Sequence, residues 1–234
     1  MDTVARTGVG IPVIAIDGPA ASGKGTIAQG VAAALGFRYL DSGSLYRLVA
    51  LEAMRRRVAF DDAPRLAALA DGLDLAFGDA RVLLDGEDVT GAIRAEEVSA
   101  AASKVAIQPR VRIALLSRQR AFRAPPGLVA EGRDMGTVVF PDAALKIYLT
   151  ASPEARAGRR HKQLIDKGNS ITIQGLLREI HERDERDSAR AEAPLRIAID
   201  AIVLDTTEVT ADAAIAYVLQ QYQALAAAGP TARA

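Results

Sequence analysis

A glycine-rich segment that contains one lysine is the first place in the sequence where residue types and spacing could do chemistry. Glycines let successive backbone N–H groups turn towards one anion, and the start of a helix adds partial positive charge. A lysine at the end of such a loop can reach the β- and γ-phosphates of a nucleotide. The segment predicts a loop for the phosphates of ATP, formed by Gly18, Pro19, Ala20, Ala21, Ser22, Gly23, Lys24, Gly25 and Thr26.

One position departs from the strict phosphate-loop pattern. Gly25 follows Lys24, where the pattern has a Ser or Thr whose hydroxyl binds Mg²⁺, and Thr26 comes one residue late. We therefore assign no direct metal ligand. Mg²⁺ is expected to enter with the nucleotide, as MgATP, and to be held mainly by phosphates and water, which this ion tolerates.

Two other loops carry polar side chains at the ends of predicted strands. The segment Asp41-Ser42-Gly43-Ser44-Leu45-Tyr46-Arg47 follows the second strand, and Glu131-Gly132-Arg133-Asp134-Met135-Gly136 follows the third. In open α/β sheets, ligands bind beyond the carboxyl ends of the strands, so both loops are expected to face the phosphate loop. Taken alone, the first could be an ordinary capped helix start and the second a salt-bridged turn.

Short apolar runs alternate with helical patterns along the first part of the chain. The runs 12–17 and 37–40 predict buried strands, and the stretches 24–35 and about 44–57 predict helices. This repeated order of strand, loop and helix opens a doubly wound α/β fold.

Three later apolar runs, 128–130, 145–149 and 201–204, are expected to extend the same sheet to five parallel strands. Between the second and third strands, residues 63–102 form short segments separated by turn signals, which predicts a small antiparallel β insertion. Residues 152–190 are highly charged and predict two exposed helices with a break at Gly168-Asn169.

The composition excludes several other classes of protein. The chain has 234 residues and equal numbers of basic and acidic side chains, 29 of each, so it lacks the overall charge expected of a nucleic-acid or membrane-surface binder. It has no cysteine and only two histidines, His161 and His181, which excludes thiolate metal sites, disulfides and a histidine-rich metal site. No signal peptide or membrane span is recognisable, and we expect a cytoplasmic monomer.

The three loops, together with Arg183-Asp184-Glu185-Arg186-Asp187-Ser188-Ala189-Arg190 and the inserted segment, resemble the bacterial cytidylate kinases of the phosphate-loop fold. The resemblance extends from about Pro12 to Thr210, and the order and spacing of its motifs are specific. It implies an enzyme of pyrimidine nucleotide metabolism that transfers the γ-phosphoryl group of ATP to CMP or dCMP, giving ADP and CDP or dCDP.

The resemblance also implies a division of the chain. The kinase core is expected in two pieces, separated by an inserted monophosphate-binding subdomain. A helical lid lies within the core, and a flexible tail is expected at each end of the chain. The corresponding residues are 11–62 and 103–228 for the core, 63–102 for the insertion, 152–190 for the lid, and 1–10 and 229–234 for the tails.

The roles of individual residues follow from the same resemblance. It assigns catalysis to Lys24, Arg133, Asp134, Arg159 and Arg160. It assigns binding of the acceptor CMP to Ser42, Tyr46, Arg47, Ser103, Arg112, Arg133, Asp134, Arg183, Asp187 and Arg190.

Two charged stretches can be interpreted either as functional or as ordinary solvent-exposed helices. Arg183, Asp187 and Arg190 are spaced to share one helix face, either as a clamp on the acceptor or as a self-paired exposed helix. The basic residues between Arg156 and Lys162 fall in the lid, where cations could stabilise the transition state, but they could also form a solvated basic helix. Which lid arginine acts stays open.

Three rival functions remain for the whole chain. It could be a kinase of UMP, AMP or a non-nucleotide metabolite, or a regulatory module that binds ATP without turnover. A nucleic-acid-dependent ATPase is the third, and the zero net charge and the absence of Trp argue against it. The sequence does not fix the preference between CMP and dCMP.

Overall fold

The computed structural model describes residues 10–78, 81–166, 171–190 and 192–228. Its main sheet has five parallel strands in the order β2-β6-β1-β7-β8, which confirms the predicted sheet. Residues 168–169, where a break between two helices was predicted, and the predicted tails other than residue 10 lie outside the described ranges. The strands of this sheet are β1 (Val13–Asp17), β2 (Arg38–Asp41), β6 (Leu128–Gly132), β7 (Leu145–Thr150) and β8 (Ile202–Asp205).

Eight α-helices occur in the described ranges, and most of them cover the two faces of this sheet. One apolar core lies between the sheet and α2, α4 and α5, and the other lies between the sheet and α1 and α8. The helices are α1 (Lys24–Leu35), α2 (Ser42–Arg55), α3 (Ala63–Gly72), α4 (Glu96–Val105), α5 (Pro109–Ala121), α6 (Pro153–Ile165), α7 (Ile173–Ser188) and α8 (Ala211–Ala228).

The second predicted strand and helix are displaced by one or two residues. The prediction placed them at 37–40 and about 44–57, whereas β2 ends at Asp41 and α2 begins at Ser42. The side chain of Asp41 causes the early start, because it accepts a hydrogen bond from the N–H of Ser44 at 3.1 Å and caps the helix.

The inserted segment contains more helix than the predicted meander. A helix precedes the small sheet, because Asp62 caps its first turn and Pro64 stands at the start of that turn. The antiparallel strands then follow as β3 (Leu75–Gly78), β4 (Arg81–Leu84) and β5 (Glu87–Asp88).

The two charged helices of the predicted lid, α6 and α7, pack against each other through a small apolar core of their own. Ala157 and Leu164 of α6 contact Leu176 and Ile180 of α7. Ser152 caps α6 and Pro153 is its first residue. None of the described helices is both long and apolar enough to cross a bilayer.

The sheet topology sets the place of the crevice. From β1 the chain crosses to the edge strand β2, and from β6 it crosses to β7 on the other side of β1, so the direction of winding reverses at β1 and β6. Ligands bind at such a reversal, beyond the carboxyl ends of the strands. The loops after β1, β2 and β6 all begin at this edge.

Substitution of Gly18, the residue directly after β1, tests how tightly this edge of the sheet is packed. The φ of Gly18 is 149°, and a Cβ placed on it would lie 2.0 Å from the carbonyl oxygen of Leu149. We expect Gly18→Ala to lower the free energy of unfolding by roughly 4 kcal/mol, because backbone atoms must move apart. Urea titration followed by circular dichroism measures the change.

Gly158→Ala is the matched control for that substitution. Gly158 is exposed within α6, and nothing lies within 4 Å of the Cβ it would gain. This change should stabilise the protein by up to about 1 kcal/mol, the difference in helix propensity. Equal stability for the two variants would contradict the packing described at Gly18.

Candidate active site

A cavity of about 590 Å³ opens beyond the carboxyl ends of β1, β2 and β6, and we call it the cleft. The phosphate loop forms one wall, α2 with α4 and α5 a second, and α6 with α7 a third. The predicted site residues that line it are Ala20, Ala21, Gly23, Lys24, Gly25, Thr26, Ser42, Tyr46, Arg47, Ser103, Arg112, Arg133, Asp134, Arg160, Arg183 and Arg190.

The remaining predicted site residues do not line the cleft. Gly18 packs against β7, and Pro19 turns its carbonyl oxygen towards Ser22 and Lys24. Ser22 and Arg159 line a smaller cavity on the other side of the phosphate loop. Asp187 is buried behind the cleft wall, with a relative exposure of 1%.

The phosphate loop has the backbone that an anion site requires. Ala21 and Gly23 both have left-handed φ values, 57° and 95°, a conformation that curls successive N–H groups around an anion. No described side chain caps the start of α1, so the N–H groups of its first turn stay available to a phosphate.

Lys24 is buried beneath the loop that it serves. Its Nζ donates to the carbonyl oxygen of Pro19 at 2.6 Å and lies 3.4 Å from the hydroxyl of Ser22. Burial, followed by the nearby Arg133, lowers the pKa of Lys24 below its ordinary value. Anionic phosphates in the loop would reverse this shift, so the site favours a bound anion.

Asp17, the last residue of β1, ties the phosphate loop to the loop after β6. Its two carboxylate oxygens accept hydrogen bonds from the backbone N–H groups of Met135 at 2.9 Å and Gly136 at 2.8 Å. Burial raises the pKa of Asp17 to about 6 despite these bonds. Arg133 and Asp134 are thereby held directly in front of this anchor.

Glu131 stands between β2 and the phosphate loop. The hydroxyl of Tyr39 donates a hydrogen bond to its Oε1. Burial and then Asp41 raise the pKa of Glu131, whereas Lys24 and Tyr39 act in the opposite direction. The same carboxylates, after burial, raise the pKa of Tyr39, so its hydroxyl remains a proton donor.

Arg47 and Asp41 form an ion pair at the mouth of the cleft. The Nη2 of Arg47 lies 2.5 Å from Oδ2 of Asp41, and Nε of Arg47 is buried without a described partner. A guanidinium that retains an unused donor can accept a second anion.

Arg112 and Asp134 form a buried ion pair at the insertion side of the cleft. Arg112 also lies over the ring of Tyr46, with Cζ 5.8 Å from the ring centroid. The hydroxyl of the buried Ser103 lies on the same wall, 3.4 Å from Nε of Arg186. This corner therefore presents a carboxylate, a guanidinium and a hydroxyl together.

Asp187 joins the lid to the loop after β6. Its Oδ2 accepts from Nε of Arg133 at 2.7 Å, and its Oδ1 accepts from Arg190. Burial alone would raise the pKa of Asp187, but Arg133, Arg190 and Arg183 together lower it below its ordinary value. Burial and Arg133 lower the pKa of Arg183 to about 10.

The predicted common helix face of Arg183, Asp187 and Arg190 is wrong for its last member. Helix α7 ends at Ser188, so Arg190 lies beyond the helix. The chain turns back there, the N–H of Leu195 donates to the carbonyl oxygen of Asp187, and Arg190 pairs with the Asp187 side chain.

The lid arginines separate into three environments. Arg156 is buried and bonds to the carbonyl oxygens of Ala151 and Ala20 and to Asp184 at 2.7 Å, which makes it a structural link. Arg159 bonds to Thr206 and faces the smaller cavity. Arg160 lines the cleft and pairs with Glu96 of α4.

The smaller cavity has a volume of about 360 Å³, and we call it the rear cavity. It lies between the phosphate loop, α6 and the loop after β8. Residues Ala21, Gly23, Thr26 and Gln163 border both cavities, so the rear cavity and the cleft meet at the phosphate loop.

The donors available to a metal ion are few. Among the described residues, no three His, Cys, Asp or Glu side chains cluster as a metal site. The exposed hydroxyl of Thr26 and the carboxylate of Glu131 both border the cleft at the phosphate loop. Two oxygen donors fit Mg²⁺, which keeps several waters and takes further ligands from phosphates.

Sequence reasoning missed Asp17, Tyr39 and the rear cavity. A charged residue that ends an apolar strand directly before the phosphate loop is a signal that could have identified Asp17. For Tyr39 the sequence offers no comparable signal, because its partner Glu131 is 92 positions away.

Comparisons with known proteins agree on one family. Residues 14–224 match the family model described as Cytidylate kinase. A protein of that name from Paraburkholderia phymatum is 60% identical over 214 residues, which cover 92% of this chain and 94% of that protein. Another from Chromobacterium violaceum is 58% identical over 219 residues, which cover 94% of this chain and 99% of that protein.

The pairing of Asp187 with two arginines predicts a pH-dependent stability. Its folded-state pKa is lowered, so the stabilisation is present above the unfolded pKa of about 3.9 and is lost as pH falls through the folded value. We expect Asp187→Asn to cost about 3 kcal/mol at pH 7, because Arg133 stays buried without its counter-charge.

Urea titrations from pH 7 to pH 3 measure this difference in unfolding free energy. Glu182→Gln is the control, because Glu182 forms an exposed pair with Arg186 at 3.8 Å on the same helix and should cost under about 1 kcal/mol. A cost for Asp187→Asn that does not shrink below about pH 4 would contradict the assigned ion pairs.

Proposed function

Because the chain belongs to the cytidylate kinase family, we propose that the cleft aligns ATP and a cytidine monophosphate for direct transfer of one phosphoryl group. The enzyme is an ATP-dependent kinase that phosphorylates CMP and dCMP, giving ADP and CDP or dCDP. The observation that carries the proposed residue roles is the convergence of an uncapped phosphate loop and an arginine-rich wall on one cleft.

The phosphate loop forms the donor side. The free N–H groups at the start of α1 and the Nζ of Lys24 bind the β- and γ-phosphates of ATP, and residues 18–26 form the cradle. The adenosine end of ATP lies in the rear cavity, where the guanidinium of Arg159 offers a flat surface for a base. This gives Arg159 a binding role beside the catalytic role implied by the resemblance.

The opposite wall forms the acceptor side. Arg47, Arg133, Arg183 and Arg190 receive the phosphate and sugar of CMP, together with Ser42 and, through Arg133, the buried Asp187. Arginine is suited to this task because its fork binds phosphate oxygens bidentately.

We place the cytosine ring at the corner of Arg112, Asp134, Ser103 and Tyr46. Cytosine presents one amino donor beside ring acceptors, and the adjacent carboxylate and guanidinium of Asp134 and Arg112 match that pattern. Uracil would turn an oxygen towards the carboxylate. This places Asp134 at the base rather than at the phosphate, because Asp134 is paired with Arg112 and Arg133 is paired with Asp187.

Arg160 is the lid cation that reaches the transferring group. It borders the cleft and exchanges its pairing with Glu96 for phosphate oxygens when the lid closes over both nucleotides. Closure excludes water, and guanidinium groups stabilise the charge spread over the phosphoryl oxygens. The acceptor phosphate is already anionic near neutral pH, so alignment and electrostatics provide most of the catalysis.

Thr26 and Glu131 would hold the Mg²⁺ that accompanies ATP, through bound water. When bound, this ion would help to neutralise the charge that develops on the phosphate oxygens.

Several expectations stay predictions. The division into core, insertion and lid fits the separate walls of the cleft. A monomeric state is predicted from the sequence alone. A cytoplasmic location and independence of nucleic acid and membranes are predicted from the sequence.

The test of this proposal is ADP release with MgATP and each of CMP, dCMP, UMP, AMP and GMP as acceptor, or none. We expect strong turnover with CMP and dCMP only. Lys24→Ala should lower kcat by about 100 to 1000-fold, because one preorganised cation is lost from the donor side. Its CMP affinity, measured by calorimetry, should stay within about twofold of the wild-type value, which shows that the variant is folded.

Each other outcome removes a specific part of the proposal. Strong turnover with another monophosphate would contradict the cytosine corner. Near-normal kcat in Lys24→Ala would reject its role. ATP binding with no acceptor-dependent ADP release would favour a regulatory module over a kinase.

A further inference from the structure

Tyr39 occupies a position that packing alone does not explain. It lies on β2, where its ring is partly buried against the apolar core beneath α1. Its hydroxyl donates a hydrogen bond to Oε1 of Glu131. The hydroxyl is therefore engaged by a carboxylate that extends from β6.

The carboxylate of Glu131, which accepts the hydrogen bond from Tyr39, lies where a side chain at Gly25 would begin. A Cβ placed on Gly25 would lie 3.1 Å from Oε1 and 4.0 Å from Oε2 of Glu131, so both oxygens lie beside the phosphate loop. Position 25 is where a strict phosphate loop carries the hydroxyl that serves Mg²⁺. Glu131 thus supplies a hard oxygen donor next to the position where this chain has none.

The two oxygens of Glu131 have different surroundings. Oε1 is committed to Tyr39, whereas Oε2 makes no hydrogen bond with any of the described residues. Glu131 borders the cleft, so Oε2 is the oxygen available to a ligand there. Without the Tyr39 hydroxyl, the carboxylate could rotate towards Lys24, which attracts it, and away from Asp41, which repels it.

We propose that Tyr39 is a positioning residue for MgATP, whose hydroxyl orients Glu131 so that one carboxylate oxygen faces the metal-bound water at the phosphate loop. The proposal rests on the proposed function only in that the phosphate loop binds MgATP. Partners that orient the groups around a metal commonly change metal affinity by about 10 to 100-fold when they are removed. Since Glu131 acts through water, the effect of Tyr39 should lie at the low end of this range.

The experiment measures binding rather than turnover. The β,γ-imido analogue of ATP is titrated into the full chain by calorimetry, without Mg²⁺ and at saturating Mg²⁺. The ratio of the two dissociation constants is the Mg²⁺ coupling factor. Tyr39→Phe should lower this factor about 10-fold and leave the metal-free dissociation constant unchanged.

Tyr222→Phe is the matched control. Tyr222 packs in the same apolar core, 5.8 Å from Phe37 between ring centroids, and its hydroxyl has no hydrogen-bond partner among the described residues. This variant should keep the wild-type coupling factor. The proposal is overturned if Tyr39→Phe also keeps it, or if its metal-free affinity falls by as much as its affinity with Mg²⁺.

A double-mutant cycle tests whether Tyr39 acts through Glu131. Glu131→Gln alone should lower the coupling factor at least as much as Tyr39→Phe, and adding Tyr39→Phe should change it no further. An unchanged factor in Glu131→Gln, or a second 10-fold loss in the double variant, contradicts the proposal. No CMP is present, so these results remain readable even if the enzyme prefers another acceptor.

Discussion

The buried carboxylate of Asp17 joins the two loops that must meet for phosphoryl transfer. Asp17 is the last residue of β1, directly before the phosphate loop. Its carboxylate accepts hydrogen bonds from the backbone N–H groups of Met135 and Gly136, which follow Arg133 and Asp134 in the chain. Parallel pairing of β1 with β6 places the strand ends side by side, but the loop beyond β6 needs this anchor to turn over the cleft. The raised pKa of Asp17 shows that its burial has a cost, and the two N–H bonds offset part of that cost.

Paired charges organise the rest of the cleft. The chain has no net charge, yet several arginines border one cavity, and each of four acidic side chains holds one or two of them in place: Asp41 with Arg47, Glu96 with Arg160, Asp134 with Arg112, and Asp187 with Arg133 and Arg190. These pairs fix the guanidinium groups before substrates arrive, which reduces the reorganisation needed at the moment of reaction. In our proposal the pair of Arg160 with Glu96 opens for a phosphate, whereas the pair of Arg133 with the buried Asp187 is part of the fold.

The sequence predicted what depends on local chemistry. Short apolar runs predicted the parallel strands, and the phosphate loop and the loops after β2 and β6 were identified because each is continuous in the chain. Contacts between residues that are distant in the chain, such as Tyr39 with Glu131, depend on strand register and could not be predicted from the sequence. Arg159 and Arg160 were not separable either, because neighbours on a helix point about 100° apart and the sequence does not say which cavity each faces. Arg190 was misplaced because nothing in the local sequence marks the end of α7 at Ser188.

We propose that the donor and acceptor nucleotides lie end to end in one continuous site. This proposal is tested most directly by the affinity of a conjugate in which adenosine and cytidine are joined 5′ to 5′ through five phosphates. We predict that it binds at least roughly 100-fold more tightly than ATP or CMP alone, because the second nucleotide binds at a high effective concentration. The diadenosine conjugate of the same length should bind far more weakly. A cytidine conjugate that binds no more tightly than ATP would contradict the account.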